Sequence, residues 1–317
     1  MTVSTTSRFI PQNSRWYEDL APREAPSGGV AELNSVLLDE DLNHVDENYL
    51  EISRASSFMR GGGVFLGIIF LSIMGGLLIP AVIESGSGFF TRNPFLGALT
   101  CAIILGCIVG ALFLMLYDFL LPRDSPVRFN RCTQKVYFYE YQTSKRWITA
   151  WRKEVKAYDW NCMEAEITKM SGYTGKAYVV RHELILVVCK PGTNEVIDRL
   201  LLKGLDPTVA TLYQLWAYIR LFMDEGPRKL PELEARPQER GFMYSLFNYM
   251  PYLSPTETGR RFRQKMRWFD YVLAFVTVWF FWIWLPLGLC HYLAITCAPE
   301  PRWPTEIDAE SRSLRSA

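Results

Sequence analysis

Three long uncharged runs interrupt a chain whose polar and apolar positions otherwise alternate over short distances: Val64 to Ile83, Phe95 to Tyr117 and Tyr271 to Cys290. A helix needs about 20 apolar residues to cross a ~30 Å hydrocarbon core, and each run reaches that length. The pattern therefore predicts three transmembrane helices, the first two forming a hairpin over residues 57–121 with its spans at 64–83 and 95–117. Both hairpin segments carry small residues on one face: Gly63, Gly67 and Gly75 in the first, and Ala98, Ala102, Gly106 and Gly110 every four positions in the second. Membrane helices associate by close van der Waals contact at such faces, so these seven residues are the expected packing surface. The third run differs. It holds Phe275, Trp279, Phe280, Phe281, Trp282 and Trp284, and Pro286 removes one helical hydrogen bond near its end. Its aromatics have two readings: bulky packing against the hairpin glycines, or a face of Phe275, Trp279 and Trp282 open to a partner within the membrane.

Between the second and third runs the period shortens. Lys135 to Tyr141 alternates as a strand, and β-rich runs follow at 147–151, 155–160, 163–169, 176–181, 183–190 and 195–203, with a Pro191-Gly192-Thr193-Asn194 turn before the last. A helix then opens at Asp206-Pro207 and ends at Gly226-Pro227, with Val209, Leu212, Trp216, Ile219 and Met223 in one stripe. One apolar stripe needs one sheet to cover. The expected domain, residues 122–226, is α+β. This order of elements resembles a pleckstrin-homology-like fold over about residues 127–226, which implies a small β-barrel or curved sheet capped by one C-terminal helix.

Elsewhere the periodicity fades. Residues 1–38 mix Pro, Ser, Arg and Glu and are expected to lack fixed structure. Asp39 to Glu51 is acidic, with Leu42, Val45, Tyr49 and Ile52 at helical spacing, so the leader, residues 1–56, closes on either a short docking helix or a solvated acidic stretch. Residues 227–268 read as a linker. Within it Phe242, Met243, Leu246, Phe247, Tyr249, Met250 and Leu253 form an amphipathic patch, suited to the membrane interface or to packing back on the central domain. The third crossing occupies 269–297 and a tail 298–317.

Charge fixes the expected sidedness. The totals balance, 34 Lys and Arg against 33 Asp and Glu for a net charge of +1, which leaves no basic excess for nucleic acid. Locally they do not balance. Arg54 and Arg60 precede the first run, Arg123, Arg128, Arg131 and Lys135 follow the second, and Arg260, Arg261, Arg263, Lys265 and Arg267 precede the third; the 84–93 connection has only Arg92. Basic flanks mark the cytoplasmic side. The expectation is a multi-pass membrane protein with its amino terminus and central domain on the cytosolic side and its carboxyl terminus on the other. A second basic cluster, Lys145, Arg146, Arg152, Lys153 and Lys156 with Trp147 and Trp151, marks a surface for anionic lipid or a protein partner, or a solvated face.

Candidate chemistry is sparse. Cysteines at 101, 107, 132, 162, 189, 290 and 297 form no CxxC and read as free thiols. His44, His182 and His291 lie far apart in sequence, and the expected topology separates His291 from the others. Gly172 to Lys176 is too short for a phosphate loop and reads as a hairpin turn. His182 and Glu183 point to opposite faces of a strand. Asp118, just past the second run, is the one ionisable side chain near the bilayer. No catalytic residue, metal or cofactor is expected.

Two short stretches carry a further resemblance: Asn48-Tyr49-Leu50-Glu51 ahead of the hairpin, and the Met-x-x-Gly-Pro-x-x-Leu-Pro of Met223 to Pro231. With this layout the chain resembles an uncharacterised family of bacterial inner-membrane proteins encoded beside type VI secretion effectors. The resemblance implies a non-enzymatic protein that binds another protein, as an immunity protein neutralising a membrane-active secreted toxin. A membrane-tethered lipid-binding adaptor is the alternative. A transporter or channel subunit is the third reading, and it requires a homo-oligomer to line a pore.

Overall fold

The computed structural model describes residues 6–23, 42–54, 60–80, 82–84, 86, 93–142, 152–173, 175, 177–206, 208–230 and 241–312. Nine strands are present among them: β1 (Trp16–Asp19), β2 (Leu42–Val45), β3 (Tyr49–Ile52), β4 (Val127–Asn130), β5 (Lys135–Gln142), β6 (Arg152–Asp159), β7 (Met163–Tyr173), β8 (Tyr178–Cys189) and β9 (Val196–Asp206). The helices are α1 (Gly62–Ile73), α2 (Pro94–Leu120), α3 (Val209–Glu225), α4 (Phe242–Leu246), α5 (Glu257–Lys265), α6 (Trp268–Val278), α7 (Phe281–Cys297) and α8 (Thr305–Arg312). The chain divides into a sheet unit, residues 1–55, 124–238 and 301–317, and a helical unit, residues 56–123 and 239–300.

In the sheet unit, two antiparallel sheets run in the orders β1-β7-β8-β9 and β2-β3-β4-β5-β6. Alternation decides their inner faces. Ala165 and Ile167, Leu184, Leu186 and Val188, and Leu200 and Leu202 point inward from the first sheet; Val127, Phe129, Val136 and Phe138 do so from the second. The stripe of α3 covers this core with Leu212, Leu215, Trp216, Ile219, Phe222 and Met223. Trp160, fully buried, touches both Phe129 and Trp216, with ring centroids 6.2 and 5.7 Å away. It sits in a 3-10 turn, Trp160–Cys162, that carries the chain from β6 in one sheet to β7 in the other.

That corner corrects the expected barrel. No ladder joins the two sheets among the described residues, so they are separate antiparallel layers rather than a closed barrel. Side chains bridge β6 and β9 instead: Lys156 Nζ and Tyr158 Oη both donate to Asp198 Oδ2 at 2.8 Å. The leader also differs from expectation. Trp16–Asp19 pairs with β7 as an edge strand, and the acidic stretch forms the β2–β3 hairpin, Leu42 opposite Ile52, instead of a helix. Asp46 Oδ1 turns that hairpin by accepting the N–H groups of Asn48 and Tyr49 at 2.8 Å.

The outer face of the second sheet is covered by the carboxyl-terminal segment. Arg128 donates through Nε and Nη2 to Glu51 Oε2 at 3.0 and 2.9 Å, and through Nη1 to Asp308 at 3.0 Å. Its guanidinium lies between the rings of Tyr49 and Trp303, 4.3 and 4.7 Å from their centroids. Tyr137 donates to Glu310 at 2.9 Å. Residues 301–312 thus belong to the sheet unit.

The helical unit overturns the three-helix expectation. Only α2, at 27 residues, is long and apolar enough to cross a membrane among the described residues. The first run gives a shorter apolar helix, Gly62–Gly76, with a π-helical turn at Met74–Leu78. The third run is broken, and α6 and α7 meet at 89°. The hydrogen-bond ladder stops at Trp279-Phe280, where Phe280 N bonds to Thr277 O and α7 restarts from Phe280 O. The amphipathic patch packs on α7: Phe242 meets Tyr292 edge-on at 5.2 Å, Tyr249 stacks near Trp284 at 6.0 Å, and the Gly288 backbone lies against Leu246.

Candidate functional site

The base of the helical hairpin is built from two reciprocal caps. A helix start leaves backbone N–H groups without intrahelical partners, and a helix end leaves carbonyls. Asp118, buried near the end of α2, accepts from the N–H groups of Gly61, Gly63 and Val64 at 3.3, 3.0 and 3.2 Å. Arg60, just before α1, donates in return to the carbonyls of Leu121 and Pro122 beyond α2. The carboxylate favours the positive end of the α1 dipole and the guanidinium the negative end of α2. Asp118 is thereby a clamp between the two helices. Its sequence neighbour Arg123 pairs with Glu300 at 3.5 Å.

Around this clamp only part of the expected small-residue surface is used. A Cβ on Gly63 would come within 2.8 Å of Leu114 O, and one on Gly67 within 2.5 Å of Met115 Cγ, so both glycines set the α1–α2 approach. Among the described residues Gly75 has nothing within reach, nor do Gly106 and Gly110, and Ala98 and Ala102 are exposed. The face of α2 that meets α1 passes through Ala111, Met115 and Asp118 instead. Gly61 was not singled out from sequence, yet it has φ +87° and its Cα side abuts the backbone of His291, so no side chain fits.

Most aromatic residues of the third run are open, Trp284 being half-buried against Tyr249. Phe275, Trp279 and Trp282 are 68, 69 and 62 % exposed, and no residue of α6 is buried. Immediately before them α5 presents Arg260, Arg261 and Lys265 to the outside, while Arg263 turns back to the carbonyls of Tyr252 and Ser254 at 2.9 and 2.8 Å. Cationic and aromatic groups are thus adjacent on one segment of the helical unit.

The other basic cluster is only partly described. Lys145, Arg146, Trp147 and Trp151 lie outside the described residues; Arg152 and Lys153 are exposed on β6. Lys156 is engaged by Asp198, and that bond holds its ammonium above the ordinary range. Burial pushes the Asp198 carboxyl up, but Lys156 and Tyr158 outweigh it and the group titrates below its usual value. The histidines stay apart: His44 bonds Asp46 at 2.9 Å, His182 meets the Tyr17 ring, and His291 is buried in the helical unit. No three His, Cys, Asp or Glu side chains gather around a common point among the described residues.

Residues 103–315, two thirds of the chain, match a family of unknown function, DUF6708. The chain belongs to this family. The DUF6708 match begins inside α2 and runs through both units to the carboxyl-terminal segment, so it takes in Asp118, Arg128, the α5–α7 stretch and Trp303. Of the two stretches noted in the sequence, Met223 to Pro231 lies within the DUF6708 span and Asn48 to Glu51 lies outside it. No curated protein and no solved structure matches the chain.

Proposed function

We propose that this DUF6708 protein is a non-enzymatic, membrane-anchored binding protein whose ligand is another protein. The observation that carries the reading is the exposure of α2. A core helix of a soluble protein is mostly covered, whereas only 6 % of the most apolar 18-residue window of α2 is buried within the chain. Its exposed Leu99, Ile103, Leu105, Val109 and Leu116 are suited to hydrocarbon rather than water. The uncovered Phe275, Trp279 and Trp282 supply a surface for a partner that is itself in the membrane.

With the resemblance to proteins encoded beside type VI secretion effectors, the ligand is a membrane-active secreted toxin and this chain its immunity protein. It resides in a bacterial inner membrane, with the basic flanks of α1 and α2 toward the cytosol. The test is protection. Sensitive cells expressing the full chain are challenged with the effector encoded next to it, alongside cells expressing the Phe275→Ala, Trp279→Ala, Trp282→Ala triple variant. Survival with the natural chain and killing with the variant support the reading; equal killing of both and of empty cells sinks it.

A further inference from the structure

The stretch from Tyr249 to Glu300 is tied at both ends to the same end of the helical hairpin. At its start, Tyr249 Oη donates to Arg60 O at 2.9 Å, just before α1. At its finish, Arg123 N donates to Pro299 O at 3.0 Å and Arg123 pairs with Glu300, just after α2. Arg60 and Arg123 flank the base that Asp118 clamps. A simple crossing would leave one of these two attachments at the opposite end of the hairpin.

Between the ties, α6 is 11 residues long. That is ~16 Å at helical rise, about half of a hydrocarbon core. The chain then turns through 89° and α7 packs back on Val64, Phe65, Met115 and Phe119 through Cys290 and Ala294. Exposed aromatics crowd the short arm: Trp268 at 77 %, with Phe269, Tyr271, Phe275 and Trp279. Ahead of it, Glu257 is the single acid of α5, sharing Arg260 and Arg261 at 3.4 and 3.7 Å; pairs of this exposed kind are weak. Arg260, Arg261 and Lys265 are all exposed on this segment.

We infer that α5–α7 is a re-entrant, single-leaflet anchor selective for anionic phospholipid. The arm α6 enters the hydrocarbon of one leaflet, α7 returns to the hairpin base, and Arg260, Arg261 and Lys265 take lipid phosphates at the headgroup level. The occupant follows from charge complementarity and from an apolar arm too short to emerge on the other side. The inference rests on the bilayer anchoring proposed above and adds the lipid class and the topology.

The full-length chain and an Arg260→Glu, Arg261→Glu, Lys265→Glu variant are purified in mild detergent, and lipid retained by each is counted by mass spectrometry after exposure to equal phosphatidylglycerol and phosphatidylcholine. Attraction near a membrane surface corresponds to about fivefold per basic residue, so the natural chain retains phosphatidylglycerol preferentially and the variant loses that preference. A Gln version of the same three positions, which removes charge without reversing it, falls between them. Equal retention of both lipids by the natural chain, or unchanged preference in both variants, overturns the selectivity. A cytosol-only fluorescent reporter is placed in the Gly192 turn and, separately, after Ala317; both light up if the anchor is re-entrant, and a dark carboxyl end overturns it. Carbonate extraction separates the two proposals: a chain released to the supernatant refutes the bilayer anchoring and this inference with it, whereas a retained chain with no lipid preference refutes this inference alone.

Discussion

The carboxylate of Asp118 accepts the backbone N–H of Gly63 at 3.0 Å, so the end of one apolar helix supplies the cap for the start of another. Two more N–H groups, of Gly61 and Val64, share it. Capping by an acidic side chain is worth ~1–2 kcal/mol, and an orphaned buried donor costs a similar amount again. Asp118→Ala should therefore lower the thermal stability of the detergent-solubilised protein by about 2–4 kcal/mol, and Asp118→Asn by less because one carbonyl acceptor remains. An unaltered unfolding midpoint in Asp118→Ala would show that water replaces the clamp without loss.

The glycines beside that clamp should divide by position rather than by spacing. Gly61 has φ +87° and faces the His291 backbone, and Gly67 faces Met115 and the Ala111 carbonyl. Gly61→Ala adds a left-handed strain of ~1–2 kcal/mol to a clash with backbone that cannot swing aside. Gly106→Ala and Gly110→Ala meet open space among the described residues and should leave the midpoint unchanged or slightly raised, since Ala is the better helix former. The three variants compared in one unfolding series check this; destabilisation by the Gly106 and Gly110 changes would mean a neighbour covers that face in the folded protein.

What could be read from the chain depended on whether the signal was local. The stripe Leu212, Trp216, Ile219, Met223 and the inward alternation of Val136 and Phe138 are periodic, and burial follows them. Leu42, Val45, Tyr49 and Ile52 fit a helical spacing as well, but Asp46 turns the chain between them and the backbone pairs as a hairpin; the Asp-Glu-Asn run was the available sign. The break at Trp279-Phe280 left no mark in apolarity, because hydropathy does not register where a hydrogen-bond ladder stops. Asp118 stood out as an ionisable group near the bilayer, yet its partners, 54 to 57 residues away, are backbone amides that any sequence offers. The docking of Trp303 on Arg128 is likewise a pairing over a distance that no local pattern encodes.

Arg128 is the residue on which the carboxyl-terminal segment depends. Its side chain is 4 % exposed and bonds Glu51 and Asp308 while lying between Tyr49 and Trp303. Removing one partner of a buried ion pair costs ~3–5 kcal/mol because the other charge is left uncompensated. Arg128→Ala should destabilise the sheet unit by about that much and release residues 301–312 to protease. Arg128→Lys keeps the charge but loses the fork to Glu51 and Asp308, so it should also release the segment. A tail that stays protected in both variants would assign the docking to Tyr137 and Glu310 instead.

Where a barrel would have closed by backbone ladder, Asp198 holds β9 to β6 through Lys156 and Tyr158. Asp198 titrates below its ordinary 3.8 in the folded chain. A carboxyl depressed by folding contributes stability above its unfolded value, and that contribution disappears as pH falls through the folded one. Asp198→Asn should cost on the order of 1–2 kcal/mol near neutral pH and flatten the acid limb of stability below pH about 4. Denaturant midpoints measured from pH 3 to 7 test this, and parallel curves for the two proteins would refute it.

At the alkaline end the informative group is Tyr137. Burial, with the bond it donates to Glu310, pushes its hydroxyl from 10.0 up to about 12. The folded chain therefore holds a proton that the unfolded chain has already lost above pH 10. A group raised by folding contributes stability that is complete below its unfolded value and disappears as pH rises through the folded one. Docking of α8 should accordingly weaken between pH 10 and about 12, because the phenolate would face the Glu310 carboxylate across the same 2.9 Å. In Tyr137→Phe this dependence is absent, and the segment is looser at every pH because Glu310 loses the bond from the Tyr137 hydroxyl. Protease release of the segment, followed at closely spaced pH values in both proteins, measures it. A natural chain whose release rate is level from pH 9 to pH 12 would mean that Tyr137 does not gate the docking, and that the Arg128 stack with Trp303 holds the segment without it.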